Sequence, residues 1–173
     1  QLMGIRAAFP GLKEAFVYSR HQSKFDFARV MSEKLALKIT AVEDPEEHIR
    51  KASAIITCLP NGVPPGVKEN WVREKGVTIF NIGGHETEYH LLSRMDRIIA
   101  DLWQQAKKRG TQPHALAVMN GIIDESRIEE IAPVLTGLQD GRRTPEENIF
   151  FSPTGLGFED AVVAHRIYQT ALE

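Results

Sequence analysis

The chain has 173 residues, 42% hydrophobic and 25% charged, which fits one globular domain with a substantial core and gives no sign of disorder. Its formal net charge of -2, with both signs interspersed, gives no basic field to hold a nucleic-acid backbone. A single cysteine, Cys58, excludes an internal disulfide framework, and no apolar run approaches the roughly 20 residues needed to cross a bilayer, so no membrane partner and a reducing, cytoplasmic setting are expected.

The first eight residues carry neither an initiator Met nor the regions of a signal peptide and read as the middle of a helix, from which a longer protein is expected. Pro10-Gly11 is a turn, and residues 14–19 form a short strand ending in Ser19-Arg20. A helix is predicted over 23–36, with Phe27, Val30, Met31 and Leu35 on one face, then a brief strand over 38–42. In Asp44-Pro45-Glu46-Glu47, Asp44 can cap free amides, Pro45 fits the first turn and Glu47 closes a capping box, so a helix runs to about Ala52. Residues 53–59 are a buried-strand candidate, broken by Pro60-Asn61-Gly62 and Pro64-Pro65-Gly66. A strand over 77–82, a short helix over 88–95 and a strand over 97–100 ending at Asp101 follow. Strands alternating with helices at this spacing predict crossover units, a parallel sheet and the α/β class.

Beyond Asp101 the pattern loosens. Residues 102–109 form a polar helix stopped by Gly110, residues 114–138 read as short helices with turns, and residues 148–151 make a last strand. Gly155-Leu156-Gly157 opens a terminal helix whose Val163, Ile167 and Ala171 share a face, with Tyr168 and Leu172 beside it. That apolar stripe needs a partner surface.

Two strand ends point to a ligand crevice. In an open α/β sheet the ligand lies beyond the carboxyl ends of the strands. The strand ending at Thr57, Cys58, Leu59 and Pro60 and the one ending at Asn81, Ile82, Gly83, Gly84 and His85 are expected side by side at one sheet edge, where small and polar residues let a flat cofactor approach the main chain. Ordinary turning loops are the competing account. At Ser19-Arg20 no acidic residue is present to take a ribose 2′-hydroxyl; Ser19 and Arg20, with His21 and Lys24 nearby, favour a 2′-phosphate and so NADP(H) over NAD(H). His85 and His90 lack metal-ligand spacing, and no nucleophile elbow, phosphate-loop lysine motif or carboxylate pair is present, so no metal site, hydrolase or kinase is expected. His85 alone has the address of a proton donor or acceptor.

The stretches 16–20, 54–58, 77–84 followed by Glu88, 94–101, 138–142 and 152–155 with Glu159-Asp160 together resemble the ornithine cyclodeaminase and mu-crystallin family, in the family's order and over nearly the whole chain. The resemblance implies an α/β, Rossmann-like doubly wound, mainly parallel sheet with flanking helices, incomplete at its N-terminus. Residues 1–155 are then the NAD(P)-binding domain, and helix 156–173 packs on a substrate and dimerisation domain outside this chain. It implies hydride transfer between a nicotinamide and the α-carbon of a small amino or imino acid, in a homodimer. Ser19 and Arg20 then meet the ribose, and Thr57, Cys58, Leu59 and Pro60 run along the cofactor. Asn81, Ile82, Gly83 and Gly84 lie by the nicotinamide, and Pro153, Thr154 and Gly155 form the lip shared with substrate.

Two departures from the family pattern stand out. Its glycine-rich phosphate loop, with the strand before it, is expected just upstream of Gln1. His85 stands where the cyclodeaminases have an Asp acid/base, and the loop to Glu88 is shortened, which favours an amino-acid dehydrogenase or imino-acid reductase over ring-closing ornithine chemistry. A non-catalytic, crystallin-like protein that binds a nucleotide or small ligand is the alternative.

Overall fold

The computed structural model describes residues 1–60 and 63–172, so Asn61 and Gly62 of the expected turn lie outside the described residues. The chain divides into two compact units, residues 1–52 and 53–173.

The first unit runs α1 (Leu2–Ala8), β1 (Glu14–Tyr18), α2 (Ser23–Leu35), β2 (Lys38–Val42) and α3 (Glu46–Lys51). β1 and β2 pair in parallel, from Glu14 opposite Lys38 to Tyr18 opposite Val42, and parallel neighbours need a crossover, which α2 supplies. Ala28, Leu37 and Ile39 form the core, with Ala15, Val17, Met31 and Leu35 against it. The inner stripe of α2 is therefore Lys24, Ala28, Met31 and Leu35, whereas Phe27 and Val30, expected there, are exposed. At about 100° per residue those two fall to one side of a stripe that the small Ala28 brings close to the sheet. Before α3, Asp44 Oδ1 accepts the Glu46 N–H at 2.9 Å as expected. Glu47 does not reach back to complete the box; its carboxylate pairs with Lys51 at 2.6 Å, the neighbour one turn on.

The second unit comprises β3 (Ala54–Thr57), β4 (Thr78–Asn81), β5 (Arg97–Ala100), α4 (Trp103–Arg109), α5 (Pro113–Met119), β6 (Ile128–Glu130), α6 (Ala132–Leu135), β7 (Ile149–Ser152) and α7 (Gly157–Leu172). Its five strands are all parallel, in the order β3-β4-β7-β5-β6. Such a mainly parallel sheet with flanking helices is Rossmann-like. Within residues 88–95, expected as a short helix, Tyr89–Arg94 form a 3-10 helix. The strand β6 was not expected: Ile-Glu-Glu is too short and polar to show a strand pattern, and only its pairing beside β5 holds it extended.

β7 is last in sequence yet lies in the middle of the sheet, and Asn148 fixes it there. Its Oδ1 accepts the Val77 N–H at 3.2 Å, its amide donates to the Glu74 carbonyl at 2.6 Å, and its N–H donates to Asp96 Oδ2 at 2.7 Å, so both neighbouring strands are gripped before β7 begins. Val77, Ile79, Leu91, Leu92, Ile98, Ala100 and Phe150 are fully enclosed. Because β3, β4, β7 and β5 are parallel, all four carboxyl ends emerge at one edge. α7 has no buried residue, and Phe158, Val162, Val163, Ile167 and Tyr168 on it are exposed. No helix among the described residues is long and apolar enough to cross a membrane.

Candidate functional site

The registers set the site. Thr57 ends β3 opposite Asn81 at the end of β4, and Ala100 ends β5 opposite Ser152 at the end of β7. The two strand ends expected to be neighbours are neighbours, with β3 at the edge of the sheet.

Among β3, β4, β7 and β5, each adjacent pair of carboxyl ends is fastened by one polar side chain. Between β3 and β4 it is Glu86, whose buried carboxylate accepts the Thr57 hydroxyl at 2.6 Å, the Gly83 N–H at 2.8 Å and the Leu59 N–H. Between β4 and β7 it is Asn81, fully buried, whose amide donates to the carbonyls of Gly84 at 2.8 Å and Gly83 at 3.2 Å and to Ser152 Oγ at 3.3 Å. Between β5 and β7 it is Asp101, whose Oδ2 accepts the N–H groups of Thr154 at 2.7 Å and Gly155 at 2.8 Å. Gly155 takes φ +87, a left-handed conformation that favours glycine, and this turns the main chain so both amides reach one carboxylate oxygen.

Thr57, Leu59, Asn81, Gly83 and Gly84 thus meet in one network with Glu86, and Thr154 and Gly155 are held separately by Asp101. Cys58 is exposed, and its thiol is pushed up by partial burial and by the Glu86 carboxylate. Pro60 follows Leu59 on the loop after β3, the Ile82 N–H donates to the Thr57 carbonyl at 3.3 Å, and Pro153 lies between Ser152 and the Asp101-bound amides. Three polar atoms at this edge, Asn81 Oδ1, Thr154 Oγ1 and His85 Nε2, are buried with no partner among the described residues. Orphaned polar groups together with a rigid rim of glycines suit a polar, flat ligand such as a nicotinamide ring.

His85 is half-buried on the loop after β4, its ring 5.7 Å from that of Tyr89. Burial holds its pKa below the ordinary value, against the opposing pull of Glu88, so the imidazole is neutral near neutral pH and able to accept a proton. Among the described residues no group of three His, Cys, Asp or Glu side chains is arranged to hold a metal.

Ser19 and Arg20 belong to the first unit, just after β1. Ser19 Oγ accepts the His21 N–H at 3.3 Å and Arg20 is exposed. Lys24, expected to help there, has its ammonium 2.5 Å from Glu43 and over the rings of Tyr18 and Phe25, on a side chain only 3% exposed. That charge is already matched by Glu43.

Sequence reading pointed to His85 and passed over Glu86. The available signal was local: a carboxylate three residues after a glycine can take that glycine's N–H, as Glu86 does with Gly83. Glu88, which the reading singled out, holds the Glu69 N–H at 2.8 Å instead. Gly83 has a role that conformational freedom does not explain, since a Cβ there would lie 2.7 Å from Glu86 Oε1. Gly83→Ala should therefore displace the carboxylate, with a loss of about 1–3 kcal/mol in urea unfolding. A parent-like unfolding curve would show that the carboxylate has room to give way.

The chain is 25% identical over 174 residues to N-((2S)-2-amino-2-carboxyethyl)-L-glutamate dehydrogenase of Staphylococcus aureus, covering 99% of this chain and 51% of that one. It superposes with a TM-score of 0.82 and 27% identity on Delta(1)-pyrroline-2-carboxylate reductase of Thermococcus litoralis, solved with NADH and L-proline, covering 92% of this chain and 50% of that chain. An archaeal alanine dehydrogenase dimer with bound NAD gives a TM-score of 0.84 at 30% identity, covering 99% and 53%. The chain spans about half the length of the curated relatives it matches. The ornithine cyclodeaminase/mu-crystallin family model matches residues 1–173, and the chain belongs to that family.

Proposed function

We propose that residues 1–173 are the nicotinamide-cofactor half of an oxidoreductase that moves a hydride to or from the α-carbon of a small amino or imino acid. The observation that carries this reading is the stapled edge itself: four parallel strand ends tied by Glu86, Asn81 and Asp101, with Asn81 Oδ1, Thr154 Oγ1 and His85 Nε2 left without partners. The relatives are in keeping with it, being a dehydrogenase and a reductase that act on amino or imino acids, one of them solved with a nicotinamide cofactor and an amino acid together.

A nicotinamide cofactor supplies the hydride chemistry, and this chain's side chains supply orientation and proton handling. Asn81, Ile82, Gly83 and Gly84 would line the nicotinamide side, Thr57, Cys58, Leu59 and Pro60 its approach, and Pro153, Thr154 and Gly155 the lip toward substrate. His85, neutral through burial, would take the proton from the substrate nitrogen in the oxidative direction and return it in the reductive one. His85→Ala should lower kcat on the order of a hundredfold. Parent-like turnover would make His85 a bystander.

Ser19 and Arg20 favour a 2′-phosphorylated ribose and so NADP(H). Titrating the full protein with NADPH and NADH by fluorescence tests both steps. Tighter NADPH binding is expected; tighter NADH binding overturns the Arg20 argument, and no binding of either overturns the cofactor assignment. The wholly exposed apolar side of α7 is in keeping with packing of residues 156–173 on further protein, in a homodimer like that of the archaeal alanine dehydrogenase.

A further inference from the structure

Glu86 is 2% exposed, and no cation among the described residues forms an ion pair with it. A carboxylate so enclosed is costly to bury unless donors surround it, and three do: the Thr57 hydroxyl, the Leu59 N–H and the Gly83 N–H. They come from two neighbouring strand ends, Thr57 and Leu59 from β3 and Gly83 from β4. The main chain of Glu86 is held as firmly. Its carbonyl accepts the Gly66 N–H at 2.8 Å and the Val67 N–H at 3.2 Å, and its N–H donates to the Gly84 carbonyl at 2.9 Å. Thr87 then bridges Val67 in parallel, which fixes the loop from both sides. Gly83 lacks the side chain that would occupy the place of the carboxylate, and Gly66 lacks one that would meet Leu59 Cδ1 at 2.7 Å. The loop is thus built around this one acid.

We propose that Glu86 is a positioning residue for the cofactor: it clamps the loops at the carboxyl ends of β3 and β4 into one fixed surface against which the nicotinamide side of the cofactor is held. This rests on the function proposed above. Glu86 acts through Thr57, Leu59 and Gly83. Charge-assisted hydrogen bonds are short and strong, so an acid holds such a clamp more firmly than an amide, which would set its own N–H groups against one of the three donors.

In the full chain, Glu86→Gln should weaken binding of NADH and NADPH about tenfold in a fluorescence titration, while the far-ultraviolet circular dichroism spectrum stays that of the parent. Thr57→Val should weaken it similarly, and Thr57→Ser, which keeps the hydroxyl, should restore parent affinity. Should Glu86→Gln fail to fold, the Thr57 pair carries the test. Cys58 gives a readout that needs no cofactor. With the Glu86 charge gone, its alkylation profile by iodoacetamide should move to lower pH, with rates about two- to threefold higher at neutrality. Unchanged cofactor affinity in Glu86→Gln, parent affinity in Thr57→Val, or a parent-like alkylation profile overturns the clamp. Failure of the parent protein to bind either cofactor overturns the proposed function instead, and the alkylation profile then decides on the clamp alone.

Discussion

Replacing Arg97 with Ala should cost about 3–5 kcal/mol of unfolding free energy, because it strips the partner from a charge network at the amino end of β5. Arg97 is 2% exposed, yet its whole guanidinium is engaged. Nε lies 3.1 and 3.2 Å from the two Glu129 oxygens, Nη2 lies 2.5 Å from Glu129 Oε2, and Nη1 donates to the Asp140 carbonyl at 2.8 Å and to the Gly141 carbonyl. The guanidinium holds the Glu129 carboxyl below its usual range. This network also gives residues 138–142 their place: they lie at the amino edge of the sheet, opposite the candidate site. Arg97→Lys should recover only part of the loss, since an ammonium lacks the planar fork that meets two oxygens and two carbonyls together. Urea unfolding of parent and both variants measures this. A loss below about 1 kcal/mol in Arg97→Ala would mean that the network contributes no more than an exposed ion pair.

The second large effect is a dependence on acid. His114 on α5 is fully enclosed, its ring 5.6 Å from Trp103 and 6.4 Å from Phe150, and neither ring nitrogen has a partner among the described residues. Burial pushes its pKa down to about 4, although the Asp101 charge acts in the opposite direction. A folded-state pKa below the unfolded one means that the unfolded chain binds the proton more readily. The stability contributed is therefore whole above about pH 6.5 and is lost as pH falls from there toward 4, to a total of about 3 kcal/mol. Urea unfolding at pH 7, 5.5 and 4.5 should trace that decline. His114→Leu should flatten it while leaving stability at pH 7 equal or higher, because two unsatisfied polar atoms are removed. An unchanged decline in that variant would assign the acid sensitivity to another group.

Much of the second unit was legible because its strands are apolar runs closed by turn residues. Residues 77–82 and 97–100 announce β4 and β5 through their Val, Ile and Phe side chains, and Asn81-Ile82-Gly83-Gly84 announces a strand end. β6 was not legible. Ile128–Glu130 carries two acids, and its extended form depends on bonds to a strand some thirty residues earlier. The face of α2 was misread for a similar reason: Lys24 and Ala28 carry too little apolar surface to declare themselves, and only packing against β1 and β2 selects them.

The candidate site divides in the same way. His85 and the paired glycines stood out by residue type and address. Glu86 and Asp101 did not, because an acid in a loop looks like a solvated charge until the donors it meets are known.

The sequence by itself determined the α/β class, the parallel crossovers, the neighbouring ends of β3 and β4 and the family, since each depends on local pattern or on motif order along the chain. Only the tertiary structure decided that β7 enters the middle of the sheet, that Gly83 is a glycine for the sake of Glu86, and that Asp101 and Asn81 fasten the remaining strand ends. The physical reason is common to all three. A buried polar group is stable only where its partners converge, and those partners are brought together by folding from positions up to 74 residues apart in the chain.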